Sequence, residues 1–558
     1  MGALVRCQIL VGLARPEVFV RLAWGWRVGR RKLSAQSERF GPYLTGTNLA
    51  GGLAIALLVP FIYQIIYYRF FHPLKDFDGP FWGSVTRLWH TYQNIRGIEL
   101  ETYDRLLKEK NTTILRISPT ELLIPSALSL PHIYHRQAVK TKWYVTGALG
   151  PGESVFNMQQ HSHHAHFRRL IAGPYSMSKM VKNEPLIDDI IIAWIKKLDE
   201  MFAQQNKAFD MSRWATFAAF DVISLVGFGE AFGFVDTATD VDDLIEELHK
   251  GFFYFGIVGR MYPFVEFIKK TWLGRFLVSN EKDKGGMGFL IRWTNRIMKA
   301  RQKEIAEGKN NDRVDLLQSF YEARDADGQP LTEDHIRAEC MLLFTAGADT
   351  TGTTMGAMMA YLLSNPTVYA KMIGEIDAAF ERGVLSSPVP AASEVSKNCP
   401  YYVACVKESL RLCPSAPNIF PRLVQADHAP LVIDGKTIPV GTEVTSTAYM
   451  ANRDPAVYGK DAEEFRPERW LEDDGEAGKV FDKYLATFGY GTRSCLGKDL
   501  AMIELMKTPL MFFRAFNPRL CLPSKETPSP KRILVGAMFY WDDIWMKLEK
   551  REIPGFPW

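Results

Sequence analysis

The sequence FGYGTRSCLG, residues 488–497, places a single cysteine inside a glycine-rich turn. A cysteine thiolate is a strong, electron-donating metal ligand, and it needs a loop that can wrap closely around the sulfur. Glycine permits such a tight backbone, an aromatic ring can cover the sulfur from water, and an arginine offers a fork suited to a carboxylate. The residues that serve these purposes are Phe488, Gly491, Arg493, Cys495 and Gly497.

The run that follows this turn, residues 498–506, is apolar and predicts a helix whose N-terminal end favours a nearby thiolate. A buried structural thiol is the alternative interpretation of Cys495. The complete spacing resembles the cysteine loop of the cytochrome P450 haem-thiolate monooxygenases. The resemblance implies that Cys495 is the axial ligand of a haem b iron and that Arg493 contacts a haem propionate.

The composition of the chain excludes several classes of protein. The chain has 558 residues, of which 47% are hydrophobic, so a large core is expected and global disorder is excluded. A net charge of +4 is too small to indicate nucleic-acid binding. The seven cysteines are odd in number and form no CxxC pair, which argues against a disulfide scaffold or zinc module and favours a reducing compartment.

The N-terminal region has two distinct parts. Residues 1–43 carry eight basic and two acidic side chains, which fits a targeting peptide, a membrane-surface segment or a wrongly chosen start codon. Residues 44–68 contain no charge and predict one transmembrane helix, with a buried core helix as the disfavoured alternative. Flanking charges lean towards a cytosolic N-terminus. The resemblance instead implies a single-pass anchor in the endoplasmic reticulum membrane, with a cytosolic catalytic domain over residues 69–558.

A histidine-rich stretch, HSHHAHFRR, occupies residues 161–169. A metal cluster is one interpretation, but no cysteine or carboxylate cluster accompanies the histidines. On a helix, His164 and Arg168 lie on one face, four residues apart. That pair resembles the P450 helix that reaches the haem propionates, whereas a solvated helix face is the alternative.

A long helix is predicted over residues 335–363, with Thr332 as its N-cap. Its middle, AGADTT at 346–351, contains residues that disfavour helix, and such a local violation marks a functional site. Small residues, Ala346 and Gly347, would let a flat cofactor approach the backbone. Thr350 can open the helix and, with Asp349, pass protons to the oxygen being cleaved. The alternative is a threonine that bonds only to its own helix.

Other motifs frame this site. Glu408 and Arg411 are neighbours on a helix predicted over residues 401–412, and a buried pair of this kind needs a third partner. Arg469 can supply that partner, and the trio resembles the structural Glu-Arg-Arg network of P450s. The resemblance also implies that Arg422 reaches a propionate. Around these motifs, short strands at 114–117 and 121–124 and hairpins near 431–438 and 536–539 predict a mainly α fold with a minor β portion, the cytochrome P450 fold.

The function implied by the resemblance is an O₂-dependent monooxygenase that receives electrons from NADPH through cytochrome P450 reductase, with cytochrome b5 as a further donor. A haem-thiolate isomerase without a reductase is a second hypothesis, but such relatives usually lack the acid-alcohol pair. A membrane haem sensor is a third, and it leaves that pair unexplained.

The substrate is predicted to be a medium-sized hydrophobic molecule, because most candidate pocket residues are apolar. Similarity to filamentous-fungal P450s implies an intermediate of secondary metabolism, such as a terpenoid, polyketide or alkaloid. Detoxification or breakdown of a plant aromatic is the alternative. The candidate pocket residues are Trp143, Tyr144, Met341, Leu342, Phe344, Thr345, Asn418, Ile419 and Phe420.

Overall fold

The computed structural model describes residues 46–146, 152–276, 281–283, 286–309 and 314–553. The described chain forms two units, one ending at Lys75 and the other beginning at Asp76. The basic segment predicted over residues 1–43 lies outside the described residues.

The first unit contains helix α1, Gly46–Ile66, which continues into a π-helical turn, Tyr67–Phe71. The helix falls within the uncharged stretch at 44–68. Within the described ranges, however, no helix combines the length and the apolar character that a membrane crossing requires. The predicted transmembrane anchor is therefore not confirmed.

The second unit is mainly helical, as predicted. Its helices of eight or more residues are α2 Arg87–Ile95, α3 Glu99–Lys110, α4 His161–Ile171, α5 Glu184–Leu198, α6 Met211–Phe228, α7 Leu244–Arg260, α8 Tyr262–Lys269, α9 Gly286–Ala306, α10 Glu333–Leu363, α11 Pro366–Glu381, α12 Pro400–Leu412, α13 Glu476–Tyr484 and α14 Lys498–Ala515.

The minor β portion consists of short strands in four small sheets. The strands are β1 Leu115–Ser118, β2 Glu121–Leu123, β3 Val139–Lys140, β4 Phe209–Asp210, β5 Arg422–Leu423, β6 Val432–Ile433, β7 Lys436–Thr437, β8 Glu443–Thr445, β9 Phe516–Leu520, β10 Lys531–Val535, β11 Met538–Asp542 and β12 Trp545–Lys550. One five-stranded sheet has the order β1-β2-β8-β5-β3, and a three-stranded sheet has the order β4-β12-β9. The pairs β6-β7 and β10-β11 are separate hairpins, which confirms the hairpins predicted near 431–438 and 536–539.

Helices α6 and α10 pack along each other through the centre of the core. Their close approach depends on glycine, since a Cβ on Gly352 would lie 2.8 Å from the Cα of Thr216. Likewise, a Cβ on Gly347 would lie 2.5 Å from a side-chain carbon of Ile223. A larger residue at Gly352 would push the two helices apart, whereas one at Gly347 would force the Ile223 side chain to move.

The predicted Glu-Arg-Arg network is fully buried. Glu408 accepts hydrogen bonds from Arg411 at 2.8 Å and from Arg469 at 3.0 Å, and all three side chains are 0% exposed. The indole of Trp470 donates a further bond to the same carboxylate at 2.8 Å. Because a buried charge must be paired, this carboxylate ties α12 to the irregular segment that precedes the cysteine turn.

Candidate active site

The second unit contains a cavity of about 330 Å³. The cysteine turn, helices α4, α10 and α14, and the segment at 415–422 form its walls. Most of the predicted site residues meet there, although they come from four separate regions of the chain. Those that line the cavity are His164, Arg168, Ala346, Gly347, Thr350, Arg422, Phe488, Arg493, Cys495 and Gly497.

The cysteine turn is held closed by its own backbone. The amide of Cys495 donates to the carbonyl of Phe488 at 2.8 Å. Cys495 is exposed to the cavity but lies deep within the protein. That depth raises the pKa of its thiol, whereas the backbone amides of Gly497 and Lys498 donate to the sulfur and oppose that rise. These donors, at the N-terminal end of α14, are arranged to stabilise a thiolate.

Gly491 shapes the turn without lining the cavity. Its φ of 69° lies in the left-handed region, and a Cβ there would lie 2.5 Å from the carbonyl oxygen of Tyr134. Glycine is therefore required at this position for two reasons, conformation and space.

A cluster of cationic side chains occupies one end of the cavity. No ion pair with a carboxylate joins any of them in the described part of the chain. Lys140 instead donates to the carbonyls of Val155 and Phe156, and Arg422 donates to the Tyr144 hydroxyl and the Phe420 carbonyl. The cluster consists of Lys140, Arg168, Arg422 and Arg493.

Arg493 differs from its predicted arrangement. Its two terminal nitrogens donate to the carbonyls of Met158 at 2.7 Å and Gln159 at 2.8 Å, so the guanidinium fork is committed to the protein. Its Nε is buried and has no hydrogen-bond partner in the described chain. Burial, followed by the charge of Arg422, lowers the pKa of Arg493 to about 10. An anion in the cavity would relieve both the charge repulsion and the unsatisfied donor.

His164 and Arg168 lie on one face of α4, as predicted, and both reach the cavity. Burial and the nearby charge of Arg493 lower the pKa of His164 to about 2. Its imidazole is therefore neutral and offers a hydrogen bond rather than a charge. Arg168 donates from Nη1 to the carbonyl of Ser494 at 2.7 Å, which joins α4 to the cysteine turn.

Helix α10 presents one face to the cavity. Its lining residues recur at intervals of three and four, as one face of an α-helix requires. These residues are Glu339, Leu342, Leu343, Ala346, Gly347, Thr350, Thr351 and Thr354.

Three residues predicted to line the substrate pocket lie on other faces of α10. Phe344 stacks on Phe228, with ring centroids 4.5 Å apart. Met341 accepts a hydrogen bond from Thr294, and the hydroxyl of Thr345 donates to the Met341 carbonyl at 3.0 Å. The prediction was wrong at these positions because it ignored the helical period.

Of the other residues predicted to line the substrate pocket, some line the cavity and others do not. Tyr144 and Phe420 line the cavity, whereas Trp143, Asn418 and Ile419 do not. Asn418 is buried, and its side-chain oxygen accepts a bond from Arg260 at 2.7 Å. It therefore braces the protein interior and does not face the cavity.

Of the acid-alcohol pair at the centre of α10, Asp349 and Thr350, only Thr350 lines the cavity. Thr350 lines the cavity, and its hydroxyl donates to the carbonyl of Ala346 at 2.9 Å. The Thr350 carbonyl in turn accepts bonds from the hydroxyls of Thr354 at 2.9 Å and Ser415 at 2.7 Å. Asp349 is buried beside this wall but does not line the cavity.

The cytochrome P450 family profile matches residues 123–538. The chain is 36% identical over 513 residues to the quiannulatic acid synthase of Emericella variicolor, covering 91% of this chain and 96% of that protein. It is 33% identical over 490 residues to the cytochrome P450 monooxygenase gsfF of Penicillium aethiopicum, covering 86% and 94%. The chain belongs to the cytochrome P450 family.

The cavity of this P450 fits the haem of the family. An amide-stabilised cysteine faces the space from one wall, and apolar side chains of α10 face it from another. A haem carries two carboxylates, and four cationic side chains lie at one end of the cavity, with no acidic partner among the residues that the structure describes. The buried, unpartnered Nε of Arg493 is the most direct sign that a ligand with an acceptor group belongs there.

Two residues of the site were missed by sequence reasoning. Lys140 sits on the short strand β3, paired with Arg422 of β5, and no local motif marks it. Glu339 lies two turns before Ala346 on α10 and accepts a hydrogen bond from the amide of Val155. Burial raises the pKa of Glu339 to about 7. Both are found only when distant segments of the chain are brought together.

Proposed function

We propose that this P450 oxidises a hydrophobic intermediate of fungal secondary metabolism, of the terpenoid, polyketide or alkaloid class. The observation that carries the proposal is the position of Thr350, which faces the same largely apolar cavity as the thiol of Cys495. The two relatives described above are fungal, and one is named for the synthesis of an organic acid. Detoxification of a plant aromatic is the alternative that substrate screening would separate.

The reaction has the balance RH + O₂ + NADPH + H⁺ → ROH + H₂O + NADP⁺. Electrons would come from NADPH through cytochrome P450 reductase, with cytochrome b5 as a further donor. When bound, the haem supplies the activation of O₂ and the transfer of one oxygen atom to the substrate.

The side chains of this P450 would perform the remaining tasks. Cys495 would hold the haem iron and donate electron density to it. Arg168, Arg422 and Lys140, with the neutral His164, would bind the haem carboxylates. Arg493 would contribute its charge and a hydrogen bond from Nε, because its two terminal nitrogens donate to the protein.

Two protons are needed for each turnover in which one oxygen atom leaves as water. We infer that Thr350 orients one of them within the cavity and that Asp349 supplies them from outside. Retention of both residues disfavours an isomerase, which has no use for that relay.

The first experiment is the difference spectrum of reduced, carbon monoxide-bound protein. The wild type should give the red-shifted Soret band typical of a thiolate ligand, and Cys495→Ala should lose it. The matched control is Cys521→Ala, because Cys521 is partly exposed and lies away from the cavity. Well-folded, haem-loaded wild-type protein without the band would refute Cys495 as the ligand.

Substrate class is tested next. Terpenoid, polyketide, alkaloid and simple aromatic compounds should be compared by their shift of the Soret band and then by product formation with reductase and NADPH. Product formed only from simple aromatics would reject the secondary-metabolite assignment. Localisation at the endoplasmic reticulum membrane is a separate prediction, and fractionation of cells that express the full chain tests it.

A further inference from the structure

A histidine of helix α7 reaches the acidic residue of the α10 pair. Nε2 of His249 lies 3.3 Å from Oδ1 of Asp349, although the two residues are 100 positions apart in the chain. The Asp349 side chain is 2% exposed, whereas the imidazole of His249 is 36% exposed. His249 is therefore placed between bulk water and a carboxylate that water does not reach directly.

The other side of Asp349 lies near the phenol of Tyr540. Its Oδ2 is buried without a hydrogen-bond partner in the described chain, and so is the hydroxyl of Tyr540. The ring of Tyr540 packs against His249, with centroids 4.1 Å apart. The Tyr540 phenol nevertheless lies close enough to the carboxylate for Asp349, after burial, to raise its pKa. Tyr540 is therefore a second neighbour of the Asp349 side chain besides His249.

The charges around His249 are acidic. They come from Asp349 on α10, Asp542 on β11 and Asp240 in the segment before α7. Burial lowers the pKa of His249, but the attraction of these carboxylates, Asp349 foremost, outweighs burial and raises the pKa overall. A histidine in this environment is protonated over part of the neutral pH range.

We propose that His249 is the positioning residue that loads Asp349 with protons from solvent. This inference rests on the proton-delivery role proposed above for Asp349. The imidazolium gives the proton on Nε2 to Oδ1 of Asp349 and becomes a neutral imidazole. Nδ1 keeps its own proton throughout. Once the protonated carboxyl group has turned away, Nε2 takes a proton from a hydronium ion or a buffer acid in solvent, which restores the imidazolium.

Proton transfer also weakens the hold on the carboxyl group. Once Asp349 and His249 are both neutral, the charge attraction between them is lost and only a weaker, neutral hydrogen bond remains. The side chain can then turn around α10 towards Thr350, the next residue, which lines the cavity. Because His249 and Asp349 lie on different helices, loading requires α7 to be in place.

A purely structural role for His249 makes different predictions. If His249 only anchors α7, glutamine should replace it fully, because glutamine can also donate a hydrogen bond to Asp349. If His249 carries protons, glutamine should preserve the fold and fail in the transfer, since an amide does not titrate. His249→Gln is therefore the central variant, and Lys250→Gln is its control, because Lys250 makes only exposed ion pairs on the same helix.

The first test is the titration of His249 by NMR in haem-loaded protein carrying ¹³C-labelled histidine, in the diamagnetic reduced carbon monoxide form. His249→Gln identifies the signal. The midpoint should lie above the ordinary value of about 6.5, and Asp349→Asn should lower it because it removes the nearest negative charge. A midpoint that Asp349→Asn leaves unchanged would overturn the contact on which the proposal depends.

The second test is the rate of NADPH consumption with reductase, without added substrate, across the neutral pH range in H₂O and D₂O. The wild-type rate should fall as pH rises through the His249 midpoint. His249→Gln should be slower by about tenfold below that midpoint, with a weaker pH dependence and a larger solvent isotope effect. His249→Lys, which keeps a titrating cation, should move the fall in rate to higher pH.

The outcomes separate this inference from the proposed function. If His249→Gln keeps the rate, pH profile and isotope effect of the wild type, His249 is not part of the relay. The proposed function would still stand, provided that Asp349→Asn slows the reaction. If the wild type lacks the thiolate band or consumes no NADPH, the proposed function itself fails, while the NMR titration still reports on the His249–Asp349 contact.

Discussion

Arg168 donates a hydrogen bond from Nη1 to the backbone oxygen of Ser494 at 2.7 Å, one residue before Cys495. The guanidinium of Arg168 therefore supports the cysteine turn. It also contributes positive charge to the end of the cavity where the haem carboxylates are expected. The position of the cysteine turn and part of the positive charge at that end of the cavity are set by the same side chain.

Replacing Arg168 should weaken haem retention. A hydrogen bond to a charged group contributes about 1.5–3 kcal/mol, so Arg168→Ala should raise the haem dissociation constant by roughly 10- to 100-fold. Arg168→Lys should restore part of the loss, because lysine keeps the charge but not the fork. The ratio of haem to protein after gel filtration measures this effect. Arg169→Ala, on the exposed neighbour, should bind haem normally, and equal occupancy in Arg168→Ala would contradict the prediction.

Removing the carboxylate of Glu408 should destabilise the fold. Arg411 would remain fully buried without its counter-charge, and Arg469 would keep only its ion pair with Asp461. Breaking a buried pair in this way costs about 3–5 kcal/mol. Glu408→Gln should therefore lower the denaturation midpoint of haem-loaded protein sharply. The control is Lys371→Ala, which removes an exposed pair with Glu468 and should cost at most about 1 kcal/mol. Similar midpoints for both variants would show that the network is not needed for stability.

Glu339 should make stability depend on pH. Burial raises its folded-state pKa to about 7, so the folded protein retains a proton that the unfolded chain loses above about pH 4.3. The free energy of unfolding should therefore fall as pH rises from about 4.3 towards 7 and then level off.

The matching variant is Glu339→Gln, which keeps an acceptor for the amide of Val155 but cannot ionise. Above pH 7, the free energy of unfolding of this variant should exceed that of the wild type by an amount on the order of 3 kcal/mol. The variant should also lack the fall in stability that ionisation of Glu339 causes in the wild type. Denaturation midpoints measured from pH 5 to pH 8 test this. Glu333→Gln, an exposed change at the start of the same helix, should leave the profile as it is. A Glu339→Gln profile parallel to that of the wild type would refute the assignment.

Loss of the Thr350 hydroxyl should divert electrons from product to hydrogen peroxide. Thr350→Ala should keep the thiolate band, while the hydrogen peroxide released per NADPH consumed should rise severalfold, since positioned proton donors accelerate such steps by about 10²–10⁴-fold. Thr350→Ser should restore much of the coupling. Thr345→Ala is the matched control, because that hydroxyl bonds to its own helix outside the cavity. Equal peroxide release from both alanine variants would remove Thr350 from the relay.

The parts of this site that could be predicted are those encoded locally. The turn around Cys495 is recognisable because glycine and cysteine are needed at fixed spacing within ten residues. The start of α10 is marked by Thr332, whose side chain accepts a bond from the amide of His335 as an N-cap does. The pairing of His164 with Arg168 follows from the helical period.

The parts that escaped prediction depend on tertiary contacts. Lys140 and His249 lie in segments without a motif, and each meets its partner only after distant elements pack together. Arg493 was expected to present its fork to the cofactor, but two backbone carbonyls near the start of α4 occupy it. Sequence spacing indicates which residue types are near one another, whereas competition for a given hydrogen bond is decided by the fold.

The hydroxyl groups along α10 have a mechanical consequence. Thr345, Thr350, Thr351 and Thr354 each bond to a carbonyl four residues earlier, so several backbone oxygens hold a second donor besides the helical amide. Hydroxyl groups bonded in this way bend helices at little cost. The α10 wall of the cavity can therefore bend. A bulky substrate can be accommodated by a bend of this helix that keeps its backbone hydrogen bonds.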